Sequence, residues 1–214
     1  MDSITLQRVL PNVFRERTDI HSDVWLADVT FSRGKTYLIE AASGTGKSSL
    51  FAYLLGYRRD YSGIISFDGA DVSRYSVSQW TEQRRSHLAM LFQELRLFPE
   101  LTAMENVQIK NQLSGHKTET EIRRWFERLG IADKVDAKVG RMSFGQQQRV
   151  ALLRALVQPF DFLLADEPVS HLDEANSNVM AELMREEADR QGAAILLSSI
   201  GKHPAMHYDH VFKL

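Results

Sequence analysis

The sequence predicts an α/β fold in which helices pack on a mostly parallel sheet. Three observations carry that expectation. Short apolar runs of strand length recur at Thr36 to Glu40, Phe160 to Ala165 and Ala193 to Ser198. Stretches with helical spacing lie between them, most clearly Lys47 to Leu55 and Glu174 to Arg190,. Near-continuous apolar runs suit strands that are covered on both faces, as in a parallel sheet.

Taken in order, Ile4 to Phe31 and Gly63 to Phe67 alternate in the manner of strands, with turns at Gly34 and at Phe67-Asp68-Gly69,. Thr36 to Glu40 is a β-prone run that stops at Ala41-Ala42-Ser43-Gly44-Thr45-Gly46, and the helix-like Lys47 to Leu55 follows. From about Glu94 to Val150 the composition turns helical, and Glu119 to Leu129 reads as an amphipathic helix,. Phe160 to Ala165 ends in Asp166-Glu167-Pro168. Glu174 to Arg190 carries Val179, Met180, Leu183 and Met184 at apolar positions and leads into Ala193 to Ser198. The expected layout is a single domain over 1–214: a core with a β-subdomain from about 1–93 and 151–214, and a helical subdomain inserted at about 94–150. No internal repeat or low-complexity tract interrupts it.

The chain has 214 residues, 43% of them hydrophobic and 25% charged, enough to bury a full core,. Disordered and collagen-like classes are excluded. Its 26 basic and 28 acidic side chains leave a net charge of -2. That balance supplies no general attraction to a nucleic-acid backbone, so no nucleic acid is expected as partner. The absence of cysteine rules out disulfides, thiolate metal sites, iron–sulfur clusters and cysteine nucleophiles,. The apolar runs are shorter than the roughly 20 residues of a membrane span. The first twenty residues do not read as a secretory signal, which leads to the expectation of an intracellular protein.

Gly46-Lys47-Ser48, set between a strand and a helix, points to polyphosphate. There a loop aims successive backbone N–H groups and the positive end of a helix at the ligand, Lys47 adds a point charge, and Ser48 offers a hydroxyl to Mg²⁺. A glycine-rich turn with a solvated lysine is the plain alternative. Ala41 stands where the usual pattern has its first glycine, a replacement that fits only if φ is negative there. The apolar Phe162 to Ala165 closing on Asp166 and Glu167 suits an enzyme that needs one carboxylate near Mg²⁺ and a second to orient or deprotonate water. Paired acids also begin ordinary helices.

Together with three further motifs, these residues resemble the nucleotide-binding subunit of ATP-binding cassette (ABC) transporters over nearly the whole chain. Leu91-Phe92-Gln93-Glu94 resembles that family's Q-loop. Met142-Ser143-Phe144-Gly145-Gln146 resembles its signature, normally Leu-Ser-Gly-Gly-Gln, and Ser170-His171-Leu172-Asp173 its D-loop. The resemblance implies an ABC cassette: a P-loop NTPase with a RecA-like core, an antiparallel β-subdomain and an inserted α-helical subdomain. It implies ATP and Mg²⁺ as cofactors. Catalysis would rest on Glu167, Gln93 and Lys47, with Mg²⁺ at Ser48, Gln93 and Asp166. Nucleotide contacts are implied for Ala41, Ala42, Ser43, Gly44, Thr45, Gly46, Lys47, Ser48, Ser49, Gln93 and Asp166. From a second subunit, Ser143, Gly145, Gln146 and Asp173 would complete the site. Phe14 is the candidate for stacking on adenine, an apolar strand residue being the competing reading.

The resemblance further implies two ATP-binding subunits, alike or different, that close head to tail on two nucleotides and drive a separate membrane permease. That places the cassette in the cytoplasm, peripheral on the inner face of the membrane. Leu97 to Val107 is similar to lipoprotein-release, macrolide-export and cell-division cassettes and also to those of polar amino-acid importers, the former group being the expected one. Phe144 departs from the signature's glycine. The family's histidine after the last core strand falls on Ile200, with His203 three residues later reading as a surface side chain. An aliphatic group cannot donate the hydrogen bond to the γ-phosphate, so slow basal hydrolysis is expected. A hydrolysis-deficient, nucleotide-gated module is the alternative. A chromosome or DNA-repair ATPase is disfavoured, since Gln93 and Ser143 lie too close for an intervening long coiled coil.

Overall fold

The alternating N-terminal pattern and the buried apolar runs fold into two separate sheets, in a computed structural model that describes residues 1–214. The first is antiparallel, in the order β2 (Asp28–Ser32), β1 (Ser3–Pro11), β4 (Tyr61–Phe67), β5 (Ala70–Asp71). The second is parallel, in the order β6 (Leu88–Leu91), β7 (Phe162–Asp166), β8 (Ala194–Ser199), β3 (Thr36–Glu40), β9 (His210–Lys213). The strand expected at Thr36 to Glu40 has those bounds, and those expected at Phe160 and Ala193 begin one or two residues later.

The N-terminal alternation is interrupted. Residues 12–27 leave the sheet through a 3-10 turn, Asn12–Phe14, and a loop before β2 begins. Pro11 has no N–H for the ladder, and Arg15 to Ser22 offers few apolar residues to bury,. Gly63 marks an irregularity where β1 meets β4. Its φ is +87°, and a Cβ there would stand 2.5 Å from the Arg8 carbonyl oxygen.

Six α-helices complete the fold: α1 (Lys47–Leu54), α2 (Val77–Glu82), α3 (Ala103–Asn111), α4 (Glu119–Arg128), α5 (Phe144–Leu156) and α6 (Glu174–Gln191). A π-helical turn, Gln83–His87, carries α2 into β6. Thr102, Thr118 and Ser143 each cap a helix in a reciprocal pair with the Glu or Gln three residues on. Such pairs satisfy two of the amide donors that a helix start leaves free. Between β6 and β7 every regular helix is α3, α4 or α5, as the helical reading of that stretch expects. α5, however, runs on to Leu156, so one rod joins the insertion to the core.

The segment before α3 is pinned by Asn106, fully buried. Its Oδ1 accepts from the Phe98 N–H at 2.8 Å, and its Nδ2 donates to the Phe98 and Thr102 carbonyls at 3.0 and 2.9 Å. The parallel sheet is a wall between two apolar clusters. Phe162, Leu164, Ala194 and Leu196 face α1 and the antiparallel sheet, while Leu163, Ala165, Ile195 and Leu197 face α5 and α6. The period-two alternation of side chains along a strand produces this partition.

Candidate functional site

Parallel pairing sets Glu40 opposite Ser199 and Asp166 opposite Ser198, so the β3 loop and the acid pair emerge at one edge of the sheet. That edge, beyond the carboxyl ends of the strands, is where open α/β sheets hold ligands. The loop is shaped by two glycines, Gly44 and Gly46, at φ +79° and +100°. Either value is expensive for a residue with a Cβ. A Cβ on Gly46 would also lie 3.1 Å from the Trp25 ring and 3.2 Å from that of Phe14. Ala41 is not among the residues with positive φ, so the missing first glycine costs the backbone little. Its N–H donates to the Ser199 carbonyl at 3.0 Å, fastening loop to sheet. The Ala42 carbonyl accepts from Thr45 Oγ1 at 2.9 Å, and the Thr45 carbonyl accepts from Trp25 Nε1 at 2.9 Å.

A cleft of about 460 Å³ opens over this loop. Ser43, Gly44, Gly46, Lys47, Ser48 and Ser49 form its floor, and Gln93, Glu167 and Ile200 stand at its core-strand end. Lys47 Nζ lies 3.2 Å from Glu167 Oε1, with both side chains mostly buried. Ser48 Oγ donates to Asp166 Oδ2 at 2.9 Å, and Ser198 Oγ to Asp166 Oδ1 at 2.5 Å. Burial pushes the Asp166 carboxyl above its ordinary range, against the pull of these two hydroxyls,. Glu167 adopts a left-handed backbone, φ +49°, which aims its carboxylate back at Lys47. Ser49 Oγ accepts from Arg58 at 2.9 Å.

These features fit a magnesium–nucleotide. Amides at a left-handed turn, a helix start and a buried cation match polyphosphate, and the Ser48–Asp166 pair is oxygen chemistry suited to Mg²⁺. No cluster of three or more acidic or histidine side chains offers a metal centre apart from the nucleotide.

Phe14, at the end of the 3-10 turn after β1, lines this cleft. It is 6% exposed, its ring edge packs against the Gly46 turn, and the Arg17 guanidinium lies 4.6 Å over its centroid. Its neighbour Val13, 71% exposed, is the side chain turned outward. Ser143, Gly145 and Gln146 lie away from this cleft, at the start of α5. There Gln146 N–H donates to Ser143 Oγ at 3.3 Å, and a Cβ on Gly145 would meet Leu172 at 3.1 Å. Phe144 is exposed and its ring rests edge-on against His171, centroids 4.8 Å apart. Asp173 is likewise outside the cleft. It caps α6, where the Asn176 N–H holds its carboxyl below the usual range. His203 is exposed and packs on Tyr208, so it does not replace the histidine missing at Ile200.

The ABC transporter family model matches residues 26–170. The chain belongs to the ABC transporter family. Over 191 residues it is 34% identical to the macrolide export ATP-binding/permease protein MacB of Shewanella sp. (strain ANA-3), spanning 87% of this chain and 29% of that one. It thus spans less than a third of the length of those exporters. It is also 34% identical over 174 residues to the lipoprotein-releasing system ATP-binding protein LolD 1 of Caulobacter vibrioides, covering 79% and 74% of the two chains. The ATP-binding cassette MJ0796, solved as a dimer in a post-hydrolysis state bound to ADP and Pi, superposes with a TM-score of 0.75 at 25% identity, covering 92% of this chain and 87% of that one. The cassette is therefore of the type found in lipoprotein-release and macrolide-export systems, and the ABC fold expected from the motifs is the fold observed.

Sequence reasoning missed three residues that shape the cleft. Ser198 holds Asp166, Trp25 holds the loop at Thr45, and Arg17 covers Phe14. Of these, only Arg17, three positions after Phe14, left a readable trace in the sequence.

Proposed function

We propose that this cassette binds Mg-ATP in the loop cleft, closes head to tail on a second cassette, and hydrolyses ATP slowly to drive a separate membrane permease. The observation that carries the reading is the Lys47–Glu167 pair beside the Ser48–Asp166 pair. A γ-phosphate entering the floor of the cleft gives Lys47 a stronger partner than Glu167. Glu167, released, becomes the carboxylate that orients or deprotonates the attacking water. Ser48 and Asp166 would hold Mg²⁺, which would neutralise charge developing on the phosphate oxygens,. Gln93, exposed at the cleft's edge, completes the metal and water shell and reports to the permease.

The cleft of one chain lacks Ser143, Gly145, Gln146 and Asp173. A second copy, or a different cassette, supplies them from the start of its own α5 and its D-loop. Capped by Ser143, that helix start presents free amides to the γ-phosphate,. No helix is long and apolar enough to cross a membrane, and a permease at the inner face of the membrane is the proposed anchor. A groove of about 210 Å³ lined by Tyr57, Phe92, Phe98 and Ile109 and flanked by Arg84 and Lys110 is offered to it. Tyr57, Phe98 and Ile109 are large apolar side chains left exposed.

Ile200, 47% exposed inside the cleft, supports slow turnover. Losing one positioned donor to a developing oxyanion typically costs about 10²–10³ in rate. The same residue favours the second reading, a nucleotide-gated module that does not turn over.

The deciding experiment measures Mg-ATP turnover and ATP binding for the wild type, Lys47→Ala and Glu167→Gln. Turnover lost in both variants, with binding lost only in Lys47→Ala, is the expected result. Lys47-dependent binding without turnover, alone and with the permease, would overturn the ATPase and leave the module.

A further inference from the structure

The turn that follows Gln93 is wound in a way its residue types do not favour. Leu95 and Arg96 both have left-handed backbones, φ +59° and +50°, and neither is glycine. That conformation is costly for a residue with a Cβ, and here two occur in succession. Inside the turn the Leu95 N–H donates to the Phe92 carbonyl at 3.0 Å, and the Arg96 N–H to the Glu94 carbonyl at 2.6 Å. Those bonds occupy the amides of the two residues and leave their carbonyls without a main-chain partner.

Arg154 takes both carbonyls. Its Nη2 donates to the Leu95 oxygen and its Nη1 to the Arg96 oxygen, each at 2.6 Å. The half-buried guanidinium makes no ion pair, and burial works against its charge, so these two oxygens are what its planar fork is matched to,. Arg154 stands in the last turn of α5, where Leu153, Ala155 and Leu156 on either side of it are buried. The clamp therefore comes from a fixed element. The turn is held from other directions by the Leu95 side chain, buried in the cluster that α5 and α6 share, and by the Arg96 guanidinium, 3.9 Å from the Phe92 ring centroid.

Gln93 sits directly before this wound segment. It is exposed, lines the cleft, and its side-chain amide has no hydrogen bond within the protein. A side chain without contacts of its own takes its place from the backbone that carries it.

We propose that Arg154 is a positioning residue for Gln93, holding the Leu95 and Arg96 turn wound so that Gln93 stays at the edge of the cleft. The proposal rests on the reading of Gln93 as a metal and water contact. Arg154 itself does not line the cleft and touches neither nucleotide nor metal.

The test uses Arg154→Met and Arg154→Lys, each alone and combined with Gln93→Ala, beside the wild type and Gln93→Ala. Methionine keeps an unbranched stem and removes the fork, and melting curves check that each variant is folded. Hydrogen exchange is measured first, without metal or nucleotide. Arg154→Met is expected to speed exchange of the Leu95 and Arg96 amides about tenfold or more while those of α5 keep their rates, because the turn opens locally without its clamp. ATP binding is then measured by calorimetry over a series of Mg²⁺ concentrations. Groups that orient a metal's ligand typically carry about 10–100-fold in metal affinity, so Arg154→Met is expected to raise the Mg²⁺ requirement about tenfold. Arg154→Lys, a cation without the planar fork, falls between it and the wild type. In the Gln93→Ala background neither substitution adds a further shift. Equal shifts with and without Gln93 would make Arg154 a structural prop and overturn the proposal, and so would unchanged exchange at the turn or an unchanged Mg²⁺ requirement in Arg154→Met. Should Arg154→Met not fold, Arg154→Lys decides by the same comparison. Failure of the underlying reading looks different: Gln93→Ala alone then keeps the wild-type Mg²⁺ requirement, and the proposal falls with it.

Discussion

Lys47 and Glu167 neutralise one another in a mostly buried setting, which makes the pair a test of the site's electrostatics. Removing one partner of a buried ion pair strands the other, at a cost of about 3–5 kcal/mol, whereas removing both is far cheaper. Chemical denaturation without nucleotide should therefore show Lys47→Ala less stable than the double variant Lys47→Ala with Glu167→Gln. Asp166 works in the opposite sense. Its folded carboxyl is raised above the unfolded value by burial, so ionisation costs stability as pH rises through that raised value, and costs nothing below the unfolded one,. In metal-free protein, Asp166→Asn is expected to gain stability relative to the wild type between acidic and mildly alkaline pH. Melting temperatures measured across that range give the sign, and Mg²⁺-dependent stabilisation by ATP should be lost in the same variant. None of this pairing was legible in the sequence. The residue types and their order announced phosphate and metal chemistry, but which side chains meet in the site depends on a positive φ at Glu167 and on Ser198, 32 residues from Asp166.

Among the elements, those whose apolar pattern is set by burial were the readable ones. Thr36 to Glu40 and Glu174 to Gln191 appear within a residue of where the pattern puts them, because β3 is buried along its centre and α6 is capped by Asp173 and closed by Gly192 at φ +60°. β9 and the π-helical turn were not readable. The first is short and mostly exposed, and gains its place by pairing with β3, a contact far away in sequence. The second depends on how α2 meets β6. Gly56 shows what such junctions demand. At φ +69° it abuts the Trp80 ring, where an added Cβ would stand 2.5 Å away. Gly56→Ala combines a left-handed backbone penalty with overpacking and should cost about 2–4 kcal/mol in urea denaturation. The 3-10 turn Asn12–Phe14 was unreadable for a related reason: it breaks the alternation expected of a strand, burying Phe14 and turning Val13 outward.

For the whole molecule, Ser143, Gly145 and Gln146 stand apart from the loop cleft, and on the proposed head-to-tail reading one chain alone holds half of a site. Sedimentation of Glu167→Gln with Mg-ATP should show a dimer that the same variant without nucleotide does not form. Gly145→Asp, which sets a carboxylate against the partner's γ-phosphate, should remain monomeric in both conditions. The apolar groove beside Phe98 makes a second statement at this scale. Phe98→Asp should leave basal turnover within about twofold and remove stimulation by the permease, measured in reconstituted vesicles, since burying a carboxylate against an apolar partner is costly,.

The sheet that divides the two apolar clusters has a consequence in time as well as in space. β7 and β8 are buried along their whole length and carry one cluster on each face. Opening the helical insertion alone leaves them covered from the other side, and so does loosening the antiparallel sheet. Their amides are released to solvent only when both clusters are lost together. In deuterium exchange they should be the slowest in the chain, and their rates should track global unfolding when the protein is titrated with denaturant. Amides of α3 and α4, shielded by one cluster, should exchange sooner through partial opening. The core of the molecule then keeps a steady clock while its two flanks open and close on shorter ones.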